Sequence, residues 1–431
     1  MSFILNNFYK INYYQKTFKE IYKIKDKSKI EIIQIKRFNK TWERAYKDFR
    51  FYADYKKKYN LPDRINNLKD TFKFPTISKF DISNNYKSIQ LDSKTNKNTK
   101  TGGTSGLVTY FPTGFIDSKI NFNRQIYLRE KFDINPFSKG LYIWGHSHKF
   151  KKNYLLKILT ILIKILKNYF FNRKYISAYD LSDEKIKIII NEIKKEKYKY
   201  VLSYGSTFDV LIKFLFANKV ILLTKVKFII TSENINFPIS DILKVLPNIE
   251  LINEYGMAET GVIGYNIKND FLCIENLWYS FLLQKEDSNL ILTDLDQRVF
   301  PLIRYRPDDG ISSKDKNSII FFTINGKKRP FFKLKTGKVI KKISSIVLDH
   351  IFKNIDEVYS VQYYFDDRKE LLNIFFCSIK PINNSYLIKT IYKKLNYDFN
   401  NINIKRIGKP IKTIAGKFKY LLEYDDIKKI I

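Results

Sequence analysis

The chain has 431 residues, with 78 Lys and Arg against 43 Asp and Glu, a formal net charge of +35, and 44% hydrophobic and 16% aromatic residues. That much apolar material excludes a disordered chain, and the length allows two or three domains with sizeable cores. Two cysteines, Cys273 and Cys377, exclude a disulfide framework, and with three scattered histidines they exclude a structural zinc site.

No signal-like pattern opens the sequence, so with the cysteine usage we expect a protein of the reducing cytosol. The basic excess is spread along the whole chain, without an arginine-rich tract or an RNP, zinc-finger or homeodomain pattern. A polyanionic partner would account for it. So would the loading with Lys, Ile, Asn, Phe and Tyr that AT-rich genomes favour. We read the excess as compositional and expect no nucleic-acid partner.

In chain order, the stretch to about Asn60 mixes charged and aromatic residues at helical spacing and predicts helices that pack on a later core. Pro62 and Pro75 punctuate a connector, and Ser78-Lys-Phe-Asp81 predicts a helix capped by Ser78. A polar run then leads into Thr101-Gly102-Gly103-Thr104-Ser105-Gly106. Glycines let backbone N–H groups turn toward a ligand, and hydroxyls add donors, so this loop suits a phosphate or pyrophosphate. It lacks the Gly-Lys-[Ser/Thr] ending of a Walker A loop. By itself it also reads as a plain turn.

His146 and His148 lie in Trp144-Gly-His-Ser-His148, a spacing that puts both on one strand face, but no acid or cysteine cluster accompanies them as a metal site would need. In Tyr154 to Phe171 the polar residues Lys157, Thr160, Lys164 and Lys167 share one narrow helical stripe and the rest is mostly Leu and Ile. Three lysines in so short a span exclude a membrane-crossing helix. A helix lying on anionic lipid fits the pattern, and so does a buried helix with one wet edge, which is the expected one.

The middle third alternates strand and helix: Tyr200 to Leu202, Phe208 to Asn218, Val226 to Ile230, Ser240 to Leu246 and Ile249 to Ile252. Short links between these imply a parallel sheet, and ligands sit at the carboxyl ends of such strands. Glu254-Tyr-Gly-Met-Ala-Glu-Thr-Gly261 is expected to follow the last strand, at that edge. Strands of antiparallel character come next, Leu290 to Leu292 and Ser318 to Thr323, and Asn325-Gly326 is a turn signal. We place a domain boundary there: residues 1–325 form a large domain, and 326–431 a small one with strands at Val358 to Phe365 and Leu371 to Ile379, a helix over Ser385 to Leu395 and a basic tail.

Four segments stand in order: Thr101 to Gly106; Tyr255-Gly-Met-Ala-Glu259; Thr293-Asp-Leu with Pro301-Leu-Ile-Arg-Tyr-Arg-Pro-Asp-Asp309; and Ile414-Ala-Gly-Lys417. Their order and spacing resemble the signature segments of the adenylate-forming acyl-activating superfamily. The branch most similar is the phenylacetate–coenzyme A ligase group with its CapK-type ligases of capsular polysaccharide clusters. Phe74-Pro-Thr-Ile-Ser-Lys79 and Ile229-Ile-Thr-Ser-Glu233 add to the likeness, which covers roughly residues 40 to 425. The resemblance implies an α/β fold: a large N-terminal domain of mixed and parallel sheets flanked by helices, and a small mobile α+β C-terminal domain.

It also implies a two-step reaction. A carboxylic acid and ATP, with Mg2+, give an acyl-adenylate and pyrophosphate, and the acyl group then passes to coenzyme A or to another thiol, amine or hydroxyl acceptor. Thr101, Gly102, Gly103, Thr104, Ser105 and Gly106 match the phosphate loop, Tyr255 and Gly256 the positions beside adenine, and Glu259 the magnesium-linked catalytic carboxylate. Asp309 matches the aspartate that accepts from both ribose hydroxyls. Arg304 or Arg306 lies near the phosphates or braces the loop, and Lys417 matches the catalytic lysine that bridges the carboxylate and the α-phosphate. His146 and His148 fall where the family builds its acyl pocket.

Departures stand beside these matches. Ala258 replaces the usual Ser or Thr, and Ala415 the residue before Gly-Lys. The hinge reads Gly326-Lys-Lys-Arg-Pro330, where Lys327 keeps a positive charge near ribose without arginine's fork. The expected activity is acid activation in cell-surface polysaccharide biosynthesis, with peripheral contact to an anionic inner membrane face allowed. The alternative is a non-catalytic nucleotide-binding or scaffold protein on the same fold.

Overall fold

The computed structural model describes residues 16–89, 97–100, 110–144, 165–166, 168–178, 183–195, 198–232, 234–235, 237–268, 270–325, 331–336, 339–344, 352, 355, 358–366, 368–369, 371–378, 381–395, 402–408, 411, 422 and 424–427. The chain divides into two compact units. One comprises Met1–Thr99, Phe111–Trp144 and Asn153–Lys327; the other comprises Lys100–Tyr110, Gly145–Lys152 and Lys328–Ile431.

In the first unit, the Asp26 side chain accepts from the N–H groups of Ser28 and Lys29 and so starts the helix Lys27–Asp48. Its buried residues Ile30, Gln34, Phe38, Thr41, Trp42 and Ala45 recur every three or four positions, which turns one stripe to the core. Gln34 is polar within that stripe but satisfied: it donates to the Trp278 carbonyl at 2.9 Å and accepts from the Ser318 hydroxyl at 2.7 Å. The next helix, Arg50–Lys58, buries Phe51, Tyr52 and Tyr55. These are the helices expected before Asn60.

A nine-stranded sheet forms the body of this unit. Five neighbouring strands are parallel, in the order Arg173–Ser177, Gly140–Trp144, Tyr200–Tyr204, Val226–Thr231 and Ile249–Met257. Successive residues along them face two different cores. Tyr142, Tyr200, Leu202, Ile229 and Ile252 belong to one; Leu141, Ile143, Val201, Phe228 and Ile230 belong to the other. Both faces are covered, so Gly140–Trp144 and, apart from Lys227, residues 226–230 read as apolar runs in place of an alternation. The helices Gly205–Ala217 and Ile239–Val245 supply residues to the second core. Gly261–Ile267, Asp270–Asn276, Phe321–Ile324 and Ile311–Ser312 extend the sheet antiparallel.

The last parallel strand runs to Met257, further than the sequence pattern indicated. Tyr255 and Gly256 therefore lie inside it, and only Ala258 to Thr260 form the turn. The extension comes from pairing with the antiparallel neighbour, through Tyr255↔Gly264 and Gly256↔Val262, and the register shifts between these two pairs. A Cβ on Gly256 would meet the Gly261 carbonyl oxygen at 2.6 Å, so glycine is what lets the two backbones approach.

A four-stranded sheet lies beside it in the same unit, in the order Ile77–Ser78, Tyr305–Arg306, Asn289–Asp294 and Phe281–Glu286. The parallel pairing Ile77↔Tyr305 and Ser78↔Arg306 brings two segments more than 200 residues apart into register. Ser78 caps the helix Lys79–Asn84 as expected, in a box with Asp81. The strands Lys97–Lys100 and Tyr110–Thr113 pair with each other.

The Tyr154 to Phe171 segment is described only at its end, where 165–166 and 168–170 are helical. There the expectation of a buried helix fails: Ile165, Leu166, Tyr169 and Phe170 are all exposed. Periodicity gives the apolar face of a helix, but it does not say whether anything covers that face.

In the second unit Val358–Asp366 and Leu371–Ser378 pair antiparallel, as expected, and the helix Asn384–Leu395 packs with them. Ile402–Arg406, read as basic tail, adds a third strand parallel to Leu371–Ser378. Its alternating Ile402, Ile404 and Arg406 are a period-two signal hidden by the lysines and asparagines around them. A hairpin of Phe331–Thr336 and Val339–Ser344 was not anticipated.

Candidate active site

The local pairing at Tyr255–Gly256 and the long-range pairing at Ile77–Ser78 bring a set of polar side chains together at the end of the last parallel strand. Glu259 sits in the turn after that strand and is 4% exposed. Its Oε1 accepts from the Tyr305 hydroxyl at 2.6 Å and lies 3.3 Å from the Lys79 ammonium, which is itself buried. Burial alone would raise the Glu259 pKa. The Lys79 charge and the Tyr305 hydrogen bond outweigh it and hold the carboxyl below its ordinary value, so it is ionised near neutrality. Glu259 is therefore not an exposed surface acid.

Tyr255 is buried and donates its hydroxyl to Asp309 Oδ2 at 2.8 Å. Its ring meets Phe322 edge-on at 5.6 Å. Burial, then the Asp309 charge, pushes the phenol well above its usual pKa, so it remains a donor; the Glu259 charge acts in the same direction. Tyr255, Glu259 and Asp309 thus form one neighbourhood.

The turn carrying Glu259 is fastened from beneath. The Thr260 carbonyl accepts from two guanidinium groups, Arg124 Nη1 at 2.9 Å and Arg298 Nη1 at 2.6 Å. Arg124, fully buried, also pairs with Asp294 and Asp296 at 2.7 Å each; Arg298 pairs with Asp117 at 3.0 Å. Gly261, next in the chain, has φ +73°, a left-handed conformation that glycine adopts without strain. The Thr260 hydroxyl lies 3.0 Å from the Gly261 carbonyl and donates to it, and Ala258 is exposed. Neither therefore presents the hydroxyl that Ala258 lacks.

Arg304 and Arg306, which the sequence leaves unseparated, have different surroundings. Arg304 is buried and fully engaged, donating to the Phe74 carbonyl at 3.0 Å, to Gln284 at 3.0 Å and to Glu286. Its φ of +49° is unusual for a side chain of that size, and these three contacts hold it there. Arg306 is half-exposed and pairs with Asp308 at 3.3 Å.

Thr101, Gly102, Gly103, Thr104, Ser105, Gly106, Lys327 and Lys417 lie outside the described residues, as do His146, His148 and Glu233. Sequence reasoning missed Lys79, Tyr305, Arg124, Arg298 and Asp294 as neighbours of the site. Lys79 closes a segment already singled out, and Asp294 and Tyr305 lie inside named motifs. Nothing local marks Arg124, whose partners are about 140 to 170 residues away.

Among the described residues no group of three or more His, Cys, Asp and Glu could hold a metal ion. One ionised, buried carboxylate fits a hard divalent cation that arrives with phosphate oxygens and keeps its waters, not a resident metal held by the protein alone.

No family model matches the sequence. Solved structures that resemble it include 2-hydroxyisobutyryl-CoA ligase in complex with 2-HIB-AMP and CoA in the thioesterification state, at TM-score 0.58 and 11% identity, over 94% of this chain and 92% of that one. The same ligase in the postadenylation state with 2-HIB-AMP gives TM-score 0.53 at 11% identity, over 92% and 90%. The chain thus has the fold of the adenylate-forming acyl-CoA ligases. In sequence it is similar to Protein CapK of Staphylococcus aureus, 21% identical over 437 residues, covering 96% of this chain and 94% of CapK.

Proposed function

We propose that the chain is an AMP-forming acid ligase. It activates a carboxylic acid with ATP to an acyl-adenylate, releasing pyrophosphate, and passes the acyl group to coenzyme A or to another thiol, amine or hydroxyl acceptor. The observation that carries this reading is the buried, ionised Glu259 beside Lys79 and Tyr305, in one neighbourhood with the Tyr255–Asp309 pair.

The chemistry follows from charge. A carboxylate must approach a triphosphate, so cations and N–H dipoles must offset their repulsion. Lys79 supplies a cation at Glu259. Arg306, the arginine with an accessible guanidinium, is the one we assign to the phosphates, and Arg304 braces the segment. Asp309 keeps acceptor capacity for ribose hydroxyls while Tyr255 donates to its other side. The missing Cβ at Gly256 leaves backbone beside which a base can pass. Glu259 would hold Mg2+, which when bound offsets charge on the phosphate oxygens. Thr101 to Gly106, Lys327 and Lys417 take their roles by resemblance: hydroxyl and N–H donors to the phosphates, a cation near ribose, and the lysine bridging carboxylate and α-phosphate. In this reading residues 1–325 form the nucleotide and acyl domain and 326–431 carry the lysine. The CapK-type resemblance supports a role in cell-surface polysaccharide biosynthesis.

A scaffold reading has one observation in its favour: neither Ala258 nor Thr260 offers a phosphate-facing hydroxyl. Acid-dependent pyrophosphate release over aryl, fatty, amino and sugar-derived acids, with and without coenzyme A, separates the two. A ligase responds to one acid class, and its thiol dependence names the acceptor. A protein that binds ATP, supports no acid and tolerates Lys417→Ala is a scaffold. Within the ligase reading, Asp309→Ala should raise the ATP dissociation constant by about 10- to 100-fold, the range for losing hydrogen bonds to a charged group. Calorimetric titration checks this, and unchanged affinity would remove Asp309 from the nucleotide site.

A further inference from the structure

The candidate active site lies at the carboxyl end of the last parallel strand. At the amino ends, Arg173, Gly140 and Tyr200 stand in register on three neighbouring strands. A Cβ on Gly140 would meet the Tyr200 ring at 2.4 Å, so glycine lets the phenol lie across the strand. Tyr200 lines a cavity of about 10 Å³, room for one particle of roughly water's size. The other polar side chains around it are Gln125 and Arg129, from the helix Phe115–Glu130, with Asn135 and Arg173. Among the described residues no Asp or Glu lines it.

The charges beside the cavity do not balance. Arg129 is buried and engages Glu254 at 3.1 Å and the Tyr265 and Tyr142 hydroxyls at 3.3 Å each. Arg173 pairs with no carboxylate among the described residues. Its guanidinium lies against the Tyr142 and Phe171 rings, 5.2 and 4.8 Å from their centroids, and its Nε is buried without a hydrogen-bond partner. The acids just before the lining segment Ile134–Pro136 have lysines of their own: Glu130 pairs with Lys19 at 3.0 Å and Asp133 with Lys227 at 3.6 Å. Two guanidiniums therefore share one carboxylate, and an unbalanced charge in a half-buried place is unfavourable. The remaining groups are able to donate. Asn135 Oδ1 already accepts from the Phe137 N–H at 2.9 Å, which leaves its amide nitrogen as the available end, and Gln125 adds a second amide. A water would leave the excess charge as it is. An anion would neutralise it and accept charge-assisted hydrogen bonds. The volume excludes phosphate, sulfate and carboxylate ligands, so only a monatomic anion is near the right size.

We propose that this cavity is an anion site that takes chloride, held between Arg129 and Arg173. It is separate from the candidate active site, and the inference stands whether or not the protein is a ligase.

Thermal unfolding of the full chain, followed by tryptophan fluorescence, tests it with sodium chloride exchanged for sodium gluconate at constant ionic strength. Gluconate is too large for the cavity, and constant ionic strength holds the screening of the basic surface fixed. Chloride at about five times its dissociation constant should raise the midpoint by about 2–4 °C, and bromide should act in the same way. Arg173→Met should abolish the rise. Gln125→Glu supplies a carboxylate from the helix itself, so it should raise the midpoint in gluconate and no longer respond to chloride. Both side chains are half-buried, and circular dichroism checks that the variants fold; should Arg173→Met not fold, Gln125→Glu decides. Two results overturn the proposal. Equal wild-type midpoints in chloride and gluconate would mean that water fills the cavity. A chloride response that survives in either folded variant would place the ion elsewhere on the basic surface.

Discussion

Glu259→Gln should lower acid-dependent adenylation by about 100- to 1000-fold, the usual scale for removing one preorganised charge that acts on a transition state. The variant has a second effect that must be separated from the first. Glutamine still accepts from the Tyr305 hydroxyl, but it leaves the buried Lys79 ammonium without a counter-charge, and an uncompensated buried charge destabilises by several kcal/mol. The double variant Glu259→Gln/Lys79→Met removes both charges. It should recover most of the lost stability, and its activity should stay at the level of the single variant or below. If Glu259 served only to neutralise Lys79, the double variant would regain activity. Urea unfolding and initial rates on the same preparations give both readouts.

Arg124→Ala should have the largest effect on stability, about 3–5 kcal/mol, because Asp294 and Asp296 would lose the one guanidinium that pairs with both. Desolvation already holds the Asp294 carboxyl above its ordinary pKa despite Arg124 and Arg298. Without Arg124 that carboxyl would take up a proton more readily. Arg298→Ala should cost less, since Arg124 would still face Asp294. The two should not add, because both donate to the Thr260 carbonyl. All three tryptophans, Trp42, Trp144 and Trp278, lie in the first unit, so their fluorescence in urea follows the unit that holds the cluster. A loss under about 1 kcal/mol for Arg124→Ala would mean that Arg298 and Arg37, which also face Asp294 and Asp296, neutralise these carboxylates without it.

The parallel core was legible in the sequence because both of its faces are covered: Val226 to Ile230 is apolar but for Lys227, and short links separate it from its neighbours. The turn chemistry at Ser78 was legible for the same local reason. The length of the strand through Tyr255 was not, since its last residues are held by pairing with Gly261 to Tyr265, and no propensity in Glu-Tyr-Gly-Met announces a strand. The site divides the same way. Tyr255, Glu259 and Asp309 lie in recognisable segments, and the structure brings these three together. Lys79 and Arg124 acquire their places only through tertiary pairing: Ile77–Ser78 against Tyr305–Arg306 for one, a carbonyl at Thr260 for the other. The separation of Arg304 from Arg306 likewise required coordinates, because the sequence does not show that Arg304 sits in a bend before the strand and Arg306 on it.

The most direct test of the ligase account is acid-dependent exchange of labelled pyrophosphate into ATP, run without any acyl acceptor and with Lys417→Ala alongside the wild type. The account predicts exchange with one class of carboxylic acid by the wild type, and a loss of at least about 100-fold in the variant with its ATP binding retained. Exchange that persists undiminished in Lys417→Ala would contradict the assigned lysine. A folded wild-type protein that binds no ATP would contradict the account as a whole.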